Sequence, residues 1–71
     1  MDFNQMSDLF MRYVIRYHDK SLEDIYNAFA KLLFQKYGIT EIPYPGELLK
    51  IAIGLRSYSK EECEKIYSSK S

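Results

Sequence analysis

The sequence predicts an all-α fold, a compact bundle of four short helices in which the second helix is central. Three observations support this prediction. Apolar residues recur at spacings of three and four in four separate stretches, which is the helical period. Residues that favour helix starts and ends stand between those stretches. No stretch alternates between apolar and polar residues over the length of a strand.

The second helix is predicted to span about residues 22–37. Ser21 followed by Asp24 is a weak form of the capping box, and Gly38 can take the left-handed conformation that ends a helix. At about 100° per residue, its apolar residues form two adjacent sides: Leu22, Ile25, Ala28, Phe29, Leu32 and Leu33 on the first, and Tyr26, Ala30, Phe34 and Tyr37 on the second. A helix with this much apolar circumference must be covered from two directions, by the other helices or by a partner.

The first helix is predicted from about Phe3 to Tyr17, with Asp2 or Asn4 as its cap. Its apolar face contains Phe3, Met6, Leu9, Phe10, Tyr13, Val14 and Tyr17. Met11 and Ile15 lie apart from this face as a pair one helical turn apart. We interpret them either as side chains at the edge of the core or as contact residues for a partner.

A connector with two prolines follows Gly38. The residue before a proline is disfavoured in the helical region, so Ile42 and Tyr44 are expected to be extended. Ile39 and Ile42 are expected to reach the core. The sequence leaves open whether the ring of Tyr44 fills the core or stays exposed.

The third helix is predicted to begin near Pro45, a favourable residue for a first helical turn. Leu48, Ile51, Ala52 and Leu55 form one apolar face, and Leu49 and Ile53 form another. Gly54 lies within this pattern and costs about 1 kcal/mol relative to alanine. It is therefore expected either to end the helix or to allow a close crossing by another helix.

Ser59 and Glu62 form a second capping signature. It is expected to start a short fourth helix through about Tyr67, with Cys63, Ile66 and Tyr67 on its apolar side. Residues 1–67 are therefore predicted to form a single helical domain, and residues 68–71 a frayed C-terminal tail.

The composition favours a small cytoplasmic protein. The chain has 71 residues, one cysteine and a formal net charge of zero. Cys63 cannot form an intramolecular disulfide, which fits a reducing compartment. The N-terminal residues lack the basic and apolar regions of a signal peptide, and no apolar run approaches the roughly 20 residues of a membrane span. No membrane association is therefore expected.

No residue pattern indicates an enzyme, a metal site or a cofactor. The only histidine, His18, is predicted at a helix end, where its charge suits the helix dipole. Cys63 lies among glutamates, which raise the pKa of a thiol. Glu61, Glu62 and Glu64 are interpreted as a solvated helix start. The three scattered glycines form no phosphate-binding loop, and no small-molecule substrate is evident.

One basic feature is compatible with nucleic-acid binding. Arg12, Arg16 and Lys20 recur every four residues and are flanked by Tyr13 and Tyr17; we call these three cations the basic ridge. Small helical domains can bind DNA through a local patch despite a neutral net charge. The alternative is that these bases pair with neighbouring acidic residues on a mixed surface.

The leading hypothesis is a non-enzymatic protein-interaction or regulatory module that binds another protein or a second copy of itself. The sequence contains more apolar surface than one small core is expected to cover, and exposed apolar patches mark interaction sites. A symmetric dimer is the simplest way to cover such a patch. The candidate interface residues are Met11, Ile15, Tyr44, Leu49 and Ile53. A DNA-associated module that uses the basic ridge is the alternative.

The segment from Phe10 to Tyr17 resembles the opening helix of the YozE-like family. The family pattern Phe-x-x-Tyr-Leu-x-basic-Tyr is matched by Phe10, Tyr13, Val14, Arg16 and Tyr17, and the similarity extends loosely through Ala28, Ile42-Pro43, Glu47 and the segment 61–67. The resemblance implies a small bacterial protein with a SAM-like helical fold and no established activity, so it carries no catalytic residues. The acidic Asp-His before that family's Phe-Pro is absent here, and Glu64 stands in place of its late Trp.

Overall fold

Four α-helices form the secondary structure of residues 2–69, which are the residues that the computed structural model describes. They are α1 (Phe3–Arg16), α2 (Leu22–Tyr37), α3 (Pro45–Arg56) and α4 (Lys60–Ser69). No strand occurs within residues 2–69. The prediction of an all-α bundle of four short helices is confirmed.

Capping residues determine where the first two helices begin and end. Asp2 starts α1 by accepting a hydrogen bond from the backbone N–H of Gln5 at 2.8 Å, and the Gln5 side chain accepts one from the N–H of Asp2. Ser21 starts α2 because its Oγ accepts from the N–H of Asp24. Gly38 ends α2 at φ 68°, a left-handed conformation that suits glycine. These caps confirm the predicted bounds of α2.

The starts of α3 and α4 also lie where the sequence predicts them. Pro45 is the first residue of α3, where its missing N–H costs no helical hydrogen bond. Ser59 caps α4 through its Oγ, which accepts from the N–H of Glu62 at 3.2 Å. The end of α4 differs, because the helix continues through residues 68 and 69 where a frayed tail was expected. The rest of that expected tail, residues 70 and 71, lies outside the described residues.

The core contains side chains from all four helices. Its fully buried members include Met6, Phe10 and Val14 of α1, Phe29 and Leu33 of α2, Leu48 and Ala52 of α3, and Cys63 of α4. The rings of Phe10 and Phe29 pack edge to face with centroids 4.8 Å apart, an arrangement that aromatic pairs favour. Ile39 and Ile42 of the connector pack against this core, as expected.

The central helix is α1, which corrects the prediction that α2 is central. α1 makes the main contacts with each of the other three helices, and its most extensive contact is with α3. The first apolar side of α2 is buried at Ile25, Phe29 and Leu33. The second side is exposed at Phe34 and Tyr37. α2 is therefore buried on its first side and only partly covered on its second.

The backbone of Tyr44 differs from the extended conformation expected before a proline. It has φ 53° and ψ 47°, in the left-handed region where a bulky residue is strained. Its ring packs edge to face on Phe3, with centroids 5.1 Å apart. This contact joins the start of α3 to the start of α1 and stabilises a conformation that the local sequence disfavours.

Gly54 neither ends α3 nor allows a close helix crossing. α3 continues to Arg56, and a Cβ added at Gly54 would meet no atom within 4 Å beyond its own helix. Both expectations for this glycine are therefore wrong. It lies on an exposed turn, where its effect is to lower the stability of the helix.

Candidate functional site

A row of incompletely covered side chains runs along α2. Tyr26 and Ala30 are half-buried, whereas Phe34 is 61% exposed and Tyr37 is 44% exposed. These four residues are the second apolar side of the helix, and we call them the aromatic stripe. The C-terminal end of the stripe, at Phe34 and Tyr37, is therefore its least covered part.

Phe34 and Tyr37 were not among the interface residues expected from the sequence. The signal that points to them is the two-sided apolar pattern of α2. That pattern shows that two sides need cover, but it does not show which side the rest of the chain will cover. The structure shows that the stripe is the less covered side.

α3 contributes a second exposed apolar position. Ile53 is 61% exposed, and Leu49 one turn earlier is half-buried. Both are candidate interface residues from the sequence, and both keep surface that a partner can reach. Tyr44 is 49% exposed with its ring on Phe3, so it does not fill the core.

Met11 and Ile15 do not contribute to an exposed contact surface. Each is only 8% exposed and belongs to the core cluster. Ile15 lies beside α4, where it shares a groove with Glu64 and Tyr67. Their burial supports the first interpretation from the sequence, the edge of the core, whereas a partner contact by either residue stays a prediction. The burial of Ile15 could not be predicted from local sequence, because the helix beside it, α4, is distant in the chain.

A shallow groove between α1 and α4 brings several charged side chains together. It has a volume of about 470 Å³ and is lined by Arg12, Ile15, Arg16, Lys60, Glu64, Tyr67 and Ser68. Lys60 therefore lies near Arg12 and Arg16 of the basic ridge, and the sequence did not indicate this proximity. Lys20, the third member of the ridge, lines a separate hollow that includes Asp24.

Each of the two arginines of the groove contacts a residue close to it in the sequence. Arg12 forms a salt bridge with Asp8 at 3.3 Å, one helical turn earlier. The guanidinium of Arg16 lies over the ring of Tyr17, 5.6 Å from its centroid. Exposed contacts of these kinds contribute about 1 kcal/mol or less, so an incoming anion can compete for both arginines.

Asp8 also connects α1 to α4. The hydroxyl of Tyr67 donates a hydrogen bond to Asp8 Oδ1 at 2.8 Å, while Oδ2 is paired with Arg12. This hydrogen bond raises the pKa of Tyr67, as do burial and the charge of Asp8, whereas the charge of Arg12 opposes the shift. Tyr67 is thus a neutral donor that holds α4 on α1.

Cys63 and His18 are not arranged as a nucleophile and its base. Cys63 is fully buried, and its Sγ donates to the backbone oxygen of Leu55 at 2.9 Å. Burial is the main cause that raises the pKa of this thiol, followed by the charges of Glu62 and Glu64. The direction expected from the glutamates is confirmed, but burial matters more. The buried Nε2 of His18 has no hydrogen-bond partner among residues 2–69.

The described helices contain neither a cluster of metal ligands nor a membrane span. Within residues 2–69, no three His, Cys, Asp or Glu side chains are grouped closely enough to hold a metal ion. No helix in that range is both long enough and apolar enough to cross a bilayer.

Comparisons with known proteins do not assign the chain to a family. No protein-family model matches it, and neither a curated protein nor a solved structure gives a significant match. The resemblance to the YozE-like family stays a prediction.

Proposed function

We propose that this protein is a cytoplasmic, non-enzymatic helical module that acts by binding protein through exposed apolar and aromatic side chains. The observation that carries the proposal is the aromatic stripe, in which Phe34 and Tyr37 stay exposed on a helix whose other side closes the core. Grouped exposed apolar residues mark interaction sites, and aromatic residues are enriched in protein interfaces. The partner is a regulatory target or a second copy of the chain.

Folding alone gives no reason for an aromatic residue at position 34. Phenylalanine is a weaker helix former than lysine, glutamate or glutamine, and at 61% exposure most of the ring of Phe34 contributes no burial to the core. A domain of about 60–70 residues has a small stability margin. The ring of Phe34 therefore supports a role in binding more than a role in folding.

The non-enzymatic part of the proposal is supported by the state of the groups that could do chemistry. The thiol of Cys63 is buried and donates a hydrogen bond to a backbone carbonyl oxygen, so it is protonated. The nucleophilic form of cysteine is the thiolate. Its raised pKa disfavours that form at neutral pH. Among the residues that the structure describes, no carboxylate or thiol is hydrogen-bonded to Nε2 of His18.

Photo-crosslinking in the producing cells tests the binding proposal. A photoreactive phenylalanine analogue at Phe34 is expected to give discrete protein adducts. The matched control carries the analogue at Gln35, an exposed neighbour that points about 100° away on the helix. Equal adducts from both positions, or none from Phe34, would contradict the proposal.

Nucleic-acid binding is the second candidate, and the groove between α1 and α4 supports it. Lys60 joins Arg12 and Arg16 there, so three cations line one surface with Glu64 as the opposing charge. Phosphate oxygens pair readily with such a set. The net charge of zero and the salt bridge between Arg12 and Asp8 weigh against it.

Titration of labelled duplex DNA at low and high salt tests this second candidate. If the groove binds phosphates, the double variant Arg16→Ala/Lys60→Ala should weaken binding and reduce the salt slope by about 0.9 for each phosphate that is no longer neutralised. Lys20→Ala is the control, because Lys20 lies in a different hollow. Undetectable binding at low salt would remove the candidate.

A further inference from the structure

The groove between α1 and α4 contains two cations that have no acidic partner within residues 2–69. Arg16 belongs to α1 and Lys60 to α4, and both line the groove. Neither forms a salt bridge in that range, and Arg16 lies over the ring of Tyr17 instead. We propose that these two cations bind a carboxylate in an acidic segment of a partner protein. The inference rests on the proposed function, since it names the chemistry of the partner that the aromatic stripe binds.

Arg16 and Lys60 lie at the same end of the groove. Tyr67 of α4 contacts Asp8 of α1. Arg16 follows Asp8 by eight residues and Lys60 precedes Tyr67 by seven, so each lies about 10–12 Å along its helix from that hydrogen bond. Because both line one groove, the two helices are antiparallel and the cations lie together at its far end. Like charges in one place repel each other, and a bound carboxylate lowers that repulsion.

The stability of α4 does not explain the charge of Lys60. Lys60 is the first residue of α4, and a cation is unfavourable there because the start of a helix is the positive end of its dipole. The two residues that follow, Glu61 and Glu62, have the favourable sign. The exposed charge of Lys60 therefore supports a role in binding more than a role in folding.

The groove suits one carboxylate of a protein better than the phosphates of a nucleic acid. A DNA duplex carries one negative charge per about 1.7 Å of its axis, so phosphates would also lie beside the rest of the groove. Glu64 lines that part, Asp8 lies next to it, and both would repel phosphates. A protein segment can place one carboxylate at the two cations and neutral residues beside the two acids.

Arg12 connects the groove to the aromatic stripe. It lines the groove and also a smaller hollow of about 250 Å³, which includes Leu9 and Tyr37. Tyr37 is the exposed C-terminal member of the stripe. A segment that crosses Arg12 can therefore place a carboxylate at Lys60 and an apolar side chain at Tyr37. The partner segment that fits this surface combines acidic and apolar residues.

NMR titrations of the isotope-labelled protein at low salt test this chemistry with defined probes. The acidic probe is a short capped peptide that repeats Leu-Glu-Glu, and its control repeats Leu-Gln-Gln. The acidic peptide should bind about tenfold more tightly and should shift the amide signals near Arg16, Lys60 and Tyr37. Duplex DNA titrated in the same buffer represents the nucleic-acid alternative.

Three variants locate the carboxylate. Arg16→Gln/Lys60→Gln should raise the Kd of the acidic peptide about tenfold, because both ion pairs are lost. Lys31→Gln/Lys50→Gln is the matched control, since it removes two cations from exposed positions outside the groove, and it should change the Kd by less than about twofold. Glu64→Gln should lower the Kd by about twofold or more, because it removes a like charge. Far-UV circular dichroism should show that all three variants stay helical, since the substituted residues are exposed.

Crosslinking in the producing cells relates the groove to the partner. With the photoreactive analogue at Phe34, Arg16→Gln/Lys60→Gln should lose most of the protein adducts, whereas the matched control should keep them. Adducts that the groove variant does not reduce would overturn the inference and leave the proposed function supported. The absence of adducts from Phe34 would contradict the proposed function, and the inference with it.

The titrations also give outcomes that overturn the inference. It is wrong if the two peptides bind equally, if neither binds, or if the groove variant weakens the acidic peptide no more than the matched control does. Binding of DNA without binding of the acidic peptide would overturn it in favour of the nucleic-acid candidate.

Discussion

Replacing Tyr67 with phenylalanine removes a hydroxyl but keeps the ring, so it isolates the hydrogen bond between α4 and Asp8. Hydrogen bonds to charged groups contribute about 1.5–3 kcal/mol. Both residues are half-buried and Asp8 keeps Arg12 as a partner, so we expect a smaller loss of about 1 kcal/mol. For a domain of this size, such a loss lowers the Tm by about 4–8 °C.

The same hydrogen bond predicts a dependence on pH. It raises the folded-state pKa of Tyr67 above the usual value, together with burial and the charge of Asp8. Its stabilisation is fully present below the unfolded-state pKa of about 10. It disappears as the pH rises through the folded value, because the unfolded chain releases this proton first.

Urea unfolding followed by circular dichroism measures both effects. The difference in unfolding free energy between the wild type and Tyr67→Phe should be constant from neutral pH to about pH 9 and shrink above about pH 10. Tyr58→Phe is the control, because Tyr58 is exposed and its hydroxyl has no hydrogen-bond partner within residues 2–69. Equal effects of the two substitutions, or a difference that persists in strong alkali, would refute the reasoning.

The remaining predictions concern three local features. Gly54→Ala should raise the unfolding free energy by about 1 kcal/mol. Gly38→Ala should lower the unfolding free energy, because Gly38 has φ 68°. Urea unfolding that finds Gly38→Ala more stable than Gly54→Ala would contradict both. Tyr44→Ala keeps the left-handed strain and removes the ring from Phe3, so calorimetry should find it about 1 kcal/mol less stable than Tyr44→Gly; equal Tm values would argue against that backbone conformation. Cys63 should react with a thiol reagent only after unfolding, and rapid native-state reaction would mean that it is not buried.

The helix bounds were predictable because they depend on neighbours in the chain. Ser21, Gly38, Pro45 and Ser59 act on backbone groups within a few residues, and each one starts or ends a helix where expected. The end of α4 was harder to predict, since residues 68 and 69 carry no strong stop signal.

The surface assignments depend on contacts between distant parts of the chain. Periodicity identified two apolar sides on α2 but could not show that α1 and the connector leave Phe34 exposed. Met11 and Ile15 were open to two interpretations because the groove beside Ile15 is completed by α4. The backbone of Tyr44 was mispredicted because the preference of a residue before proline is local, whereas its ring contact with Phe3 is not.

The central position of α1 has a consequence for how the bundle opens. The other three helices pack mainly on α1, so lifting α4 breaks one major helix interface, whereas displacing α1 breaks three. Amide hydrogens of α4 should exchange with solvent through local opening, and those near Phe10 only through global unfolding. The groove between α1 and α4 therefore lies at a boundary that a single major helix interface holds closed, and we expect its width to change when the last helix opens.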